Sequence, residues 1–135
     1  MPAGLYSPCV QTGTLLAVSG QVPSRDGQPL GRGKCGDGVS IEEAAALARQ
    51  CALQALGIVR GHLGSLDRVN RVVRVAGYVA SASGFVDHPK VVNGASQVLI
   101  DVFGDAGRHA RIAIGVAELP FGVPVEVEFL FEVQP

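Results

Sequence analysis

From Arg111 to Ala117 the chain alternates, and alternation is the period of a β-strand. Ile112, Ile114 and Val116 form a branched apolar face suited to a core. Arg111, Ala113, Gly115 and Ala117 form the other, small except for one guanidinium at its mouth. After Leu119-Pro120-Phe121-Gly122 a second run begins at Val123 and reaches Val133. Val125, Val127, Phe129, Phe131 and Val133 share one face; Glu126, Glu128, Leu130 and Glu132 share the other. An arginine and a carboxylate on neighbouring small-residue faces would hold a small anion and a water.

The remaining elements follow from the same periods. A short edge strand is expected near Val10, and Thr14 to Gly20 reads as a buried strand. Gln21 to Gly38 has no period and carries Gly27, Gly31, Gly33, Gly36 and Gly38, so a long loop is expected. Ser40-Ile41-Glu42-Glu43 is a capping box that launches a helix to about Leu63, stopped by Gly64. Ile41, Ala44, Ala48, Cys51, Ala52, Ala55 and Val59 recur at helical steps, and most are small enough for close packing on a sheet. Asp67 to Ser81 reads as one long strand, with Val69, Arg71, Val73, Val75, Gly77 and Val79 on one face. Asp87-His88-Pro89 opens a second helix that ends at Gly104, with Val91, Ala95, Val98, Leu99, Val102 and Phe103 facing inward. Two helices covering one sheet make a two-layer α+β fold, with residues 1–135 as a single domain.

Composition narrows the function classes. The formal charge of −1 gives no electrostatic footprint for nucleic acid. Mean hydropathy is +0.31, which hints at surface buried between subunits. Cys9, Cys35 and Cys51 form no CxxC pair, so neither a disulfide framework nor a zinc site is suggested, and a reducing compartment fits. No leader pattern and no apolar run of roughly 20 residues is present, so a cytoplasmic protein away from membranes is expected.

Several stretches together resemble one family. They are Ser19-Gly20-Gln21-Val22-Pro23 after a strand, Ala48-Arg49-Gln50 in the first helix, and Leu66-Asp67-Arg68-Val69 before a strand ending Gly77-Tyr78-Val79. His109-Ala110-Arg111 runs on to Val116-Ala117-Glu118-Leu119-Pro120, and Val125-Glu126-Val127-Glu128 follows. In order and spacing these are similar to the YjgF/RidA family, also called endoribonuclease L-PSP-like or reactive-intermediate deaminase proteins. The resemblance implies a chorismate-mutase-like fold: a mixed sheet covered by two helices, assembled as a homotrimer with ligand clefts between subunits. It implies hydrolysis of 2-imino or enamino acids of the 2-aminoacrylate type to 2-keto acids and ammonia, with no metal or organic cofactor. By the same resemblance Arg111 grips the substrate carboxylate and Glu126 orients the attacking water. Tyr6 borders the cleft, Ser19 precedes the Gly-Gln pair, and Asn93 is the nearest match to an asparagine of the second helix. Ala113 stands where many members carry cysteine, Gly4-Leu5-Tyr6 replaces Gly-Pro-Tyr, and the loop Gln21–Gly38 is longer than usual, which marks a divergent subgroup.

Each candidate also has a plainer reading. Arg111 could form an interface salt bridge instead of a bidentate carboxylate clamp, with substrate over Ala113 and Gly115. Glu126 shares its face with Glu128 and Glu132 and could be an ordinary exposed carboxylate. Tyr6 could pack at an edge, Ser19 could close a strand end, and His109 could be a solvated turn residue. Imines are already electrophilic, so a held carboxylate, an oriented water and a proton source suffice for hydrolysis. The alternatives are a non-catalytic trimer binding a small carboxylic acid or a protein partner, and a ribonuclease. Near-neutral charge disfavours the latter. Arg68, Arg71 and Arg74 without interleaved aromatics read as a solvated strand face.

Overall fold

The computed structural model describes residues 4–135. Its first helix, α1 (Ile41–Leu63), starts where the sequence places it, because Ser40 Oγ accepts the Glu43 N–H at 3.1 Å. Gly64 ends it at φ 88°, a left-handed conformation that glycine adopts without a Cβ clash. Ala44, Ala48, Cys51, Ala52, Ala55 and Val59 are fully buried along one stripe. The second helix, α2 (His88–Phe103), has Pro89 in its first turn. A Cβ on Gly94 of α2 would collide with the Ala45 backbone, so this glycine lets the two helices cross closely. The inward face of α2 is rotated from the expected one: Val92 and Ser96 are buried, and Val102 is 47% exposed.

Both helices lie on one face of a five-stranded mixed sheet ordered β1-β2-β9-β7-β8. The strands are β1 (Cys9–Thr12), β2 (Leu15–Gln21), β7 (Val69–Ala80), β8 (Ala110–Val116) and β9 (Val125–Val133). Within this sheet only the β7–β8 pair is parallel. Val125, Val127, Phe129, Phe131 and Val133 face the helices and are buried, as the alternation of β9 requires.

Two strands depart from simple alternation. In β7 the register against β9 shifts between Val69 and Arg71 and again between Val72 and Arg74. Those irregularities bury Val72 with Val75 and Val79 and leave Val73 half-exposed, breaking the face expected from strict alternation. In β8 the expected faces are reversed. Ile112 and Ile114 are each 40% exposed, whereas Ala113 packs against the core under the helices. The register decides this: Arg111 lies beside buried Val75, and Ile114 beside Tyr78 on the helix-free face.

The stretch read as an aperiodic loop is an ordered arm. It contains an antiparallel pair, β3 (Ser24–Arg25) with β4 (Gln28–Pro29), and a parallel pair, β5 (Lys34–Cys35) with β6 (Gly38–Val39). Glutamines of α1 bolt it down. Gln54 Nε2 donates to Val22 O at 2.9 Å, its Oε1 accepts the Ser24 N–H at 2.8 Å, and Gln50 Nε2 donates to Ser24 O at 3.2 Å. Among the described residues no helix is long and apolar enough to cross a membrane.

Candidate functional site

Arg111 sits on edge strand β8 and points to the helix side of the sheet. Its Nη1 donates to Asn93 Oδ1 at 2.7 Å and to Ser96 Oγ at 3.2 Å. Asn93 and Ser96 are one helical turn apart on α2, so both reach the same guanidinium. A further link holds Ser96. His109 Nδ1 lies 2.7 Å from the Gly107 carbonyl and its Nε2 lies 2.9 Å from Ser96 Oγ. A carbonyl only accepts, so Nδ1 carries the proton and the neutral ring accepts from the Ser96 hydroxyl at Nε2. Burial, and secondarily the nearby Arg111 charge, push the His109 pKa down, while its bond to Gly107 acts against them. The neutral ring is therefore favoured. The chain Arg111–Ser96–His109–Gly107 fixes the guanidinium through neutral groups alone, and Arg111 pairs with no carboxylate among the described residues.

Ser96 was invisible to motif reading. Its signal was positional: it lies three residues after Asn93 in a helix, one polar residue on an otherwise apolar stripe. Ala113 and Gly115 continue the small face beyond Arg111, but α2 fills part of the space over them. Ala113 packs on the core, and a Cβ on Gly115 would meet His88 and Ser81. The room expected over Ala113 is thus partly taken by protein, while Gly115 stays exposed.

Glu126 is on the opposite face. It is paired with Tyr78 in β7 and projects from β9 to the helix-free side. The expected meeting of Arg111 and Glu126 does not occur within one chain, because the reversed faces of β8 put the arginine under the helices. The Glu126 carboxylate lies over Gly20, where any Cβ would strike it. Its pKa is raised, first by burial and second by Glu128. Tyr78 Oη donates to Glu128 Oε1 at 2.7 Å, and this bond pushes the phenol pKa up. No described residue donates a hydrogen bond to Glu126.

Tyr6 and Ser19 line a cavity of about 550 Å³ between the arm and α1. Gly20 also lines it, so the cavity adjoins the residue beneath the Glu126 carboxylate. Ser19 Oγ donates to Ser7 O at 2.6 Å and its N–H to Pro8 O at 2.9 Å, which ties the entry of β1 to β2. Phe121 borders the cavity at φ 62° and is 60% exposed. A bulky residue in that left-handed region is strained, typically by about 1–3 kcal/mol. Among the described residues no cluster of three or more metal-ligating side chains occurs.

A family model described as "YjgF/chorismate_mutase-like, putative endoribonuclease" matches residues 2–132. The chain belongs to this YjgF family. It is 46% identical to "Protein TCP17" of Trypanosoma cruzi over 132 residues, 97% of this chain and 82% of that protein. Among solved structures it is similar to Atu1372 of Agrobacterium tumefaciens, described as of unknown function, at TM-score 0.95 and 40% identity, covering 100% of this chain and 87% of the other. A Shewanella oneidensis protein described as a "putative endoribonuclease" superposes at TM-score 0.94 with 30% identity, over 98% and 88% of the two chains. The α+β fold, with its mixed sheet and two helices, is thus that of the YjgF family.

Proposed function

We propose that this YjgF-family protein hydrolyses 2-imino acids to 2-keto acids and ammonia in clefts shared between copies of the chain. The observation that carries the reading is Arg111, a cation held by Asn93 and Ser96 and left without a carboxylate among the described residues. Such a group suits a substrate carboxylate, which a guanidinium binds through two parallel N–H donors. Glu126 is the general base. Its half-buried carboxylate accepts a proton from water as the water oxygen bonds to the imine carbon. Glu126 returns that proton to the nitrogen of the resulting carbinolamine, the C–N bond breaks, and the carbon–oxygen double bond of the keto acid forms as ammonia leaves and the hydroxyl proton passes back to the Glu126 carboxylate. Water supplies the oxygen, and no oxidant is required.

Arg111 and Glu126 lie on opposite faces of one sheet, so the proposed cleft takes the arginine from one copy and the glutamate from its neighbour. The helix-free face supports such packing. Val10, Leu15, Ile112 and Ile114 are 58%, 40%, 40% and 40% exposed there, an apolar face that a homotrimer would cover.

The test generates 2-imino acids with an amino-acid oxidase and catalase and traps survivors with semicarbazide. The protein is expected to lower semicarbazone formation, Arg111→Ala to abolish the effect, and Arg111→Lys to restore only part of it. Wild-type turnover in Arg111→Ala with its assembly intact would remove the clamp. Saturable keto-acid binding without imine turnover would select a carboxylate-binding, non-catalytic role. RNA cleavage that survives repurification and disappears in Arg111→Ala would select the endoribonuclease activity named for relatives.

A further inference from the structure

We infer that the cavity between the arm and α1 receives the substrate side chain and selects 2-imino acids with large, uncharged, apolar or aromatic side chains. The inference rests on the imine-hydrolase reading for its reaction but on separate observations for its specificity. The volume of about 550 Å³ falls within the roughly 300–1,000 Å³ of sites that take drug-sized ligands, far beyond what a methyl side chain needs. Among the described residues no charged one lines it. Most of its side-chain polar groups are already occupied, and among the described residues only the Tyr6 and Ser24 hydroxyls in its wall lack a partner. Gln54 donates to Gln21 Oε1 and Val22 O, and accepts from Ser24 N–H and Gln50 Nε2, while Gln21 Nε2 donates to Ser19 O. The larger part of the wall offered to a guest is hydrocarbon, from Ile58, Val22, Pro29 and Phe121. A carboxylate or ammonium entering there would lose water and meet no opposite charge.

Gly57 is the second observation. It stands inside α1, where glycine costs about 1 kcal/mol relative to alanine. No backbone approaches it, since a Cβ there would meet nothing within 4 Å. Neither a turn nor close packing explains it, unlike Gly94. It does line the cavity, at an exposed position of α1 where a side chain would stand at the cavity's edge. Gly57 is therefore a specificity-determining position. At the other end Gly20 both lines the cavity and lies under the Glu126 carboxylate, which itself is not part of the cavity wall.

The experiment compares imines made from alanine, leucine, phenylalanine and aspartate, and measures binding of phenylpyruvate, pyruvate and 2-oxoglutarate by isothermal titration. Wild-type protein is expected to favour the phenylalanine- and leucine-derived imines over the aspartate-derived one by on the order of tenfold or more in kcat/KM. Gly57→Leu gains helix propensity and its Cβ has no atom within 4 Å, so a melting temperature at or above wild type is expected. It should lower the phenylalanine-to-alanine kcat/KM ratio on the order of tenfold and weaken phenylpyruvate binding. Imine turnover that is flat across side chains, or an unchanged ratio in Gly57→Leu, would overturn the pocket assignment while leaving the hydrolase standing. Phenylpyruvate binding lost in Gly57→Leu, with no imine turned over, would leave the pocket standing and remove the hydrolase. Neither turnover nor phenylpyruvate binding would overturn both.

Discussion

Ser96→Ala removes one oxygen from the centre of the arginine mount. Ser96 is only 8% exposed, so the change falls on a buried hydrogen-bonded group. Two bonds are lost, one from Arg111 at 3.2 Å and one to His109 at 2.9 Å. The first is long, and Arg111 keeps its 2.7 Å bond to Asn93. The second is neutral, and half-buried His109 regains part of it from water. The net loss is therefore nearer one ordinary hydrogen bond than two charged ones, about 1–2 kcal/mol. With about 2.1 cal/mol/K of unfolding entropy per residue, a chain of this length should melt about 4–7 °C lower. Arg111 loses direction rather than charge, so KM for the imino acid should rise about three- to tenfold, with a smaller change in kcat. Scanning calorimetry and the semicarbazide-trapped assay read the two effects. A double-mutant cycle with Asn93→Ala should show coupling of at least about 0.5 kcal/mol, because both residues hold the same nitrogen. An unchanged melting temperature together with unchanged KM would refute the mount.

Other predictions follow from single contacts. Gly94→Ala gains helix propensity but drives a methyl into the Ala45 backbone, so a net destabilisation of about 1–3 kcal/mol is expected in urea titration. Ser40→Ala deletes the α1 N-cap and should cost about 1 kcal/mol by the same measurement. Glu128→Gln removes the negative charge that adds to burial in raising the Glu126 pKa. The Glu126 midpoint followed by carboxyl NMR should move down in that variant, while remaining above the ordinary value of 4.5 because burial persists. The linkage has a definite sign. A carboxyl whose folded pKa is raised binds its proton more tightly when folded, so it favours the fold at low pH. That contribution is lost as pH rises from the ordinary carboxylate range through the raised value, and Glu126→Gln should flatten this part of the stability profile.

Helices and one buried strand were legible because their signals are local. The Ser40 cap, the Gly64 stop and the alternation of β9 each lie within a few residues and act wherever the segment sits. The faces of β8 were not legible. Ile112 and Ile114 have the character of core residues, but the register with β7 puts Ala113 under α2 and leaves the isoleucines on the helix-free face. Hydrophobicity reports that a face is to be covered, not which layer covers it. The irregularities in β7 escaped for a related reason, since a shift in strand pairing depends on the neighbour and not on the strand's own composition. In the arm, order comes from Gln50 and Gln54 on a helix about thirty residues downstream, so glycine-rich sequence misled. The alternation of β8 singles out Arg111 and Ala113, the family pattern supplies the roles of Arg111 and Glu126 and adds Tyr6, Ser19 and Asn93, and the fold brings only Arg111 with Asn93 and Tyr6 with Ser19. Ser96 and Gly57 acquire meaning only when their neighbours in space are known.

The central claim is that one cleft uses Arg111 from one copy and Glu126 from another. Subunit mixing tests it directly. Arg111→Ala and Glu126→Gln proteins, each inactive alone, are combined in equal amounts, exchanged by unfolding and refolding, and assayed for imine hydrolysis. In a cyclic trimer with one Arg–Glu pair per interface, random mixing leaves about one quarter of clefts with both wild-type groups, so about one quarter of wild-type turnover is expected. Mixed oligomers verified by mass spectrometry that remain inactive would contradict the account.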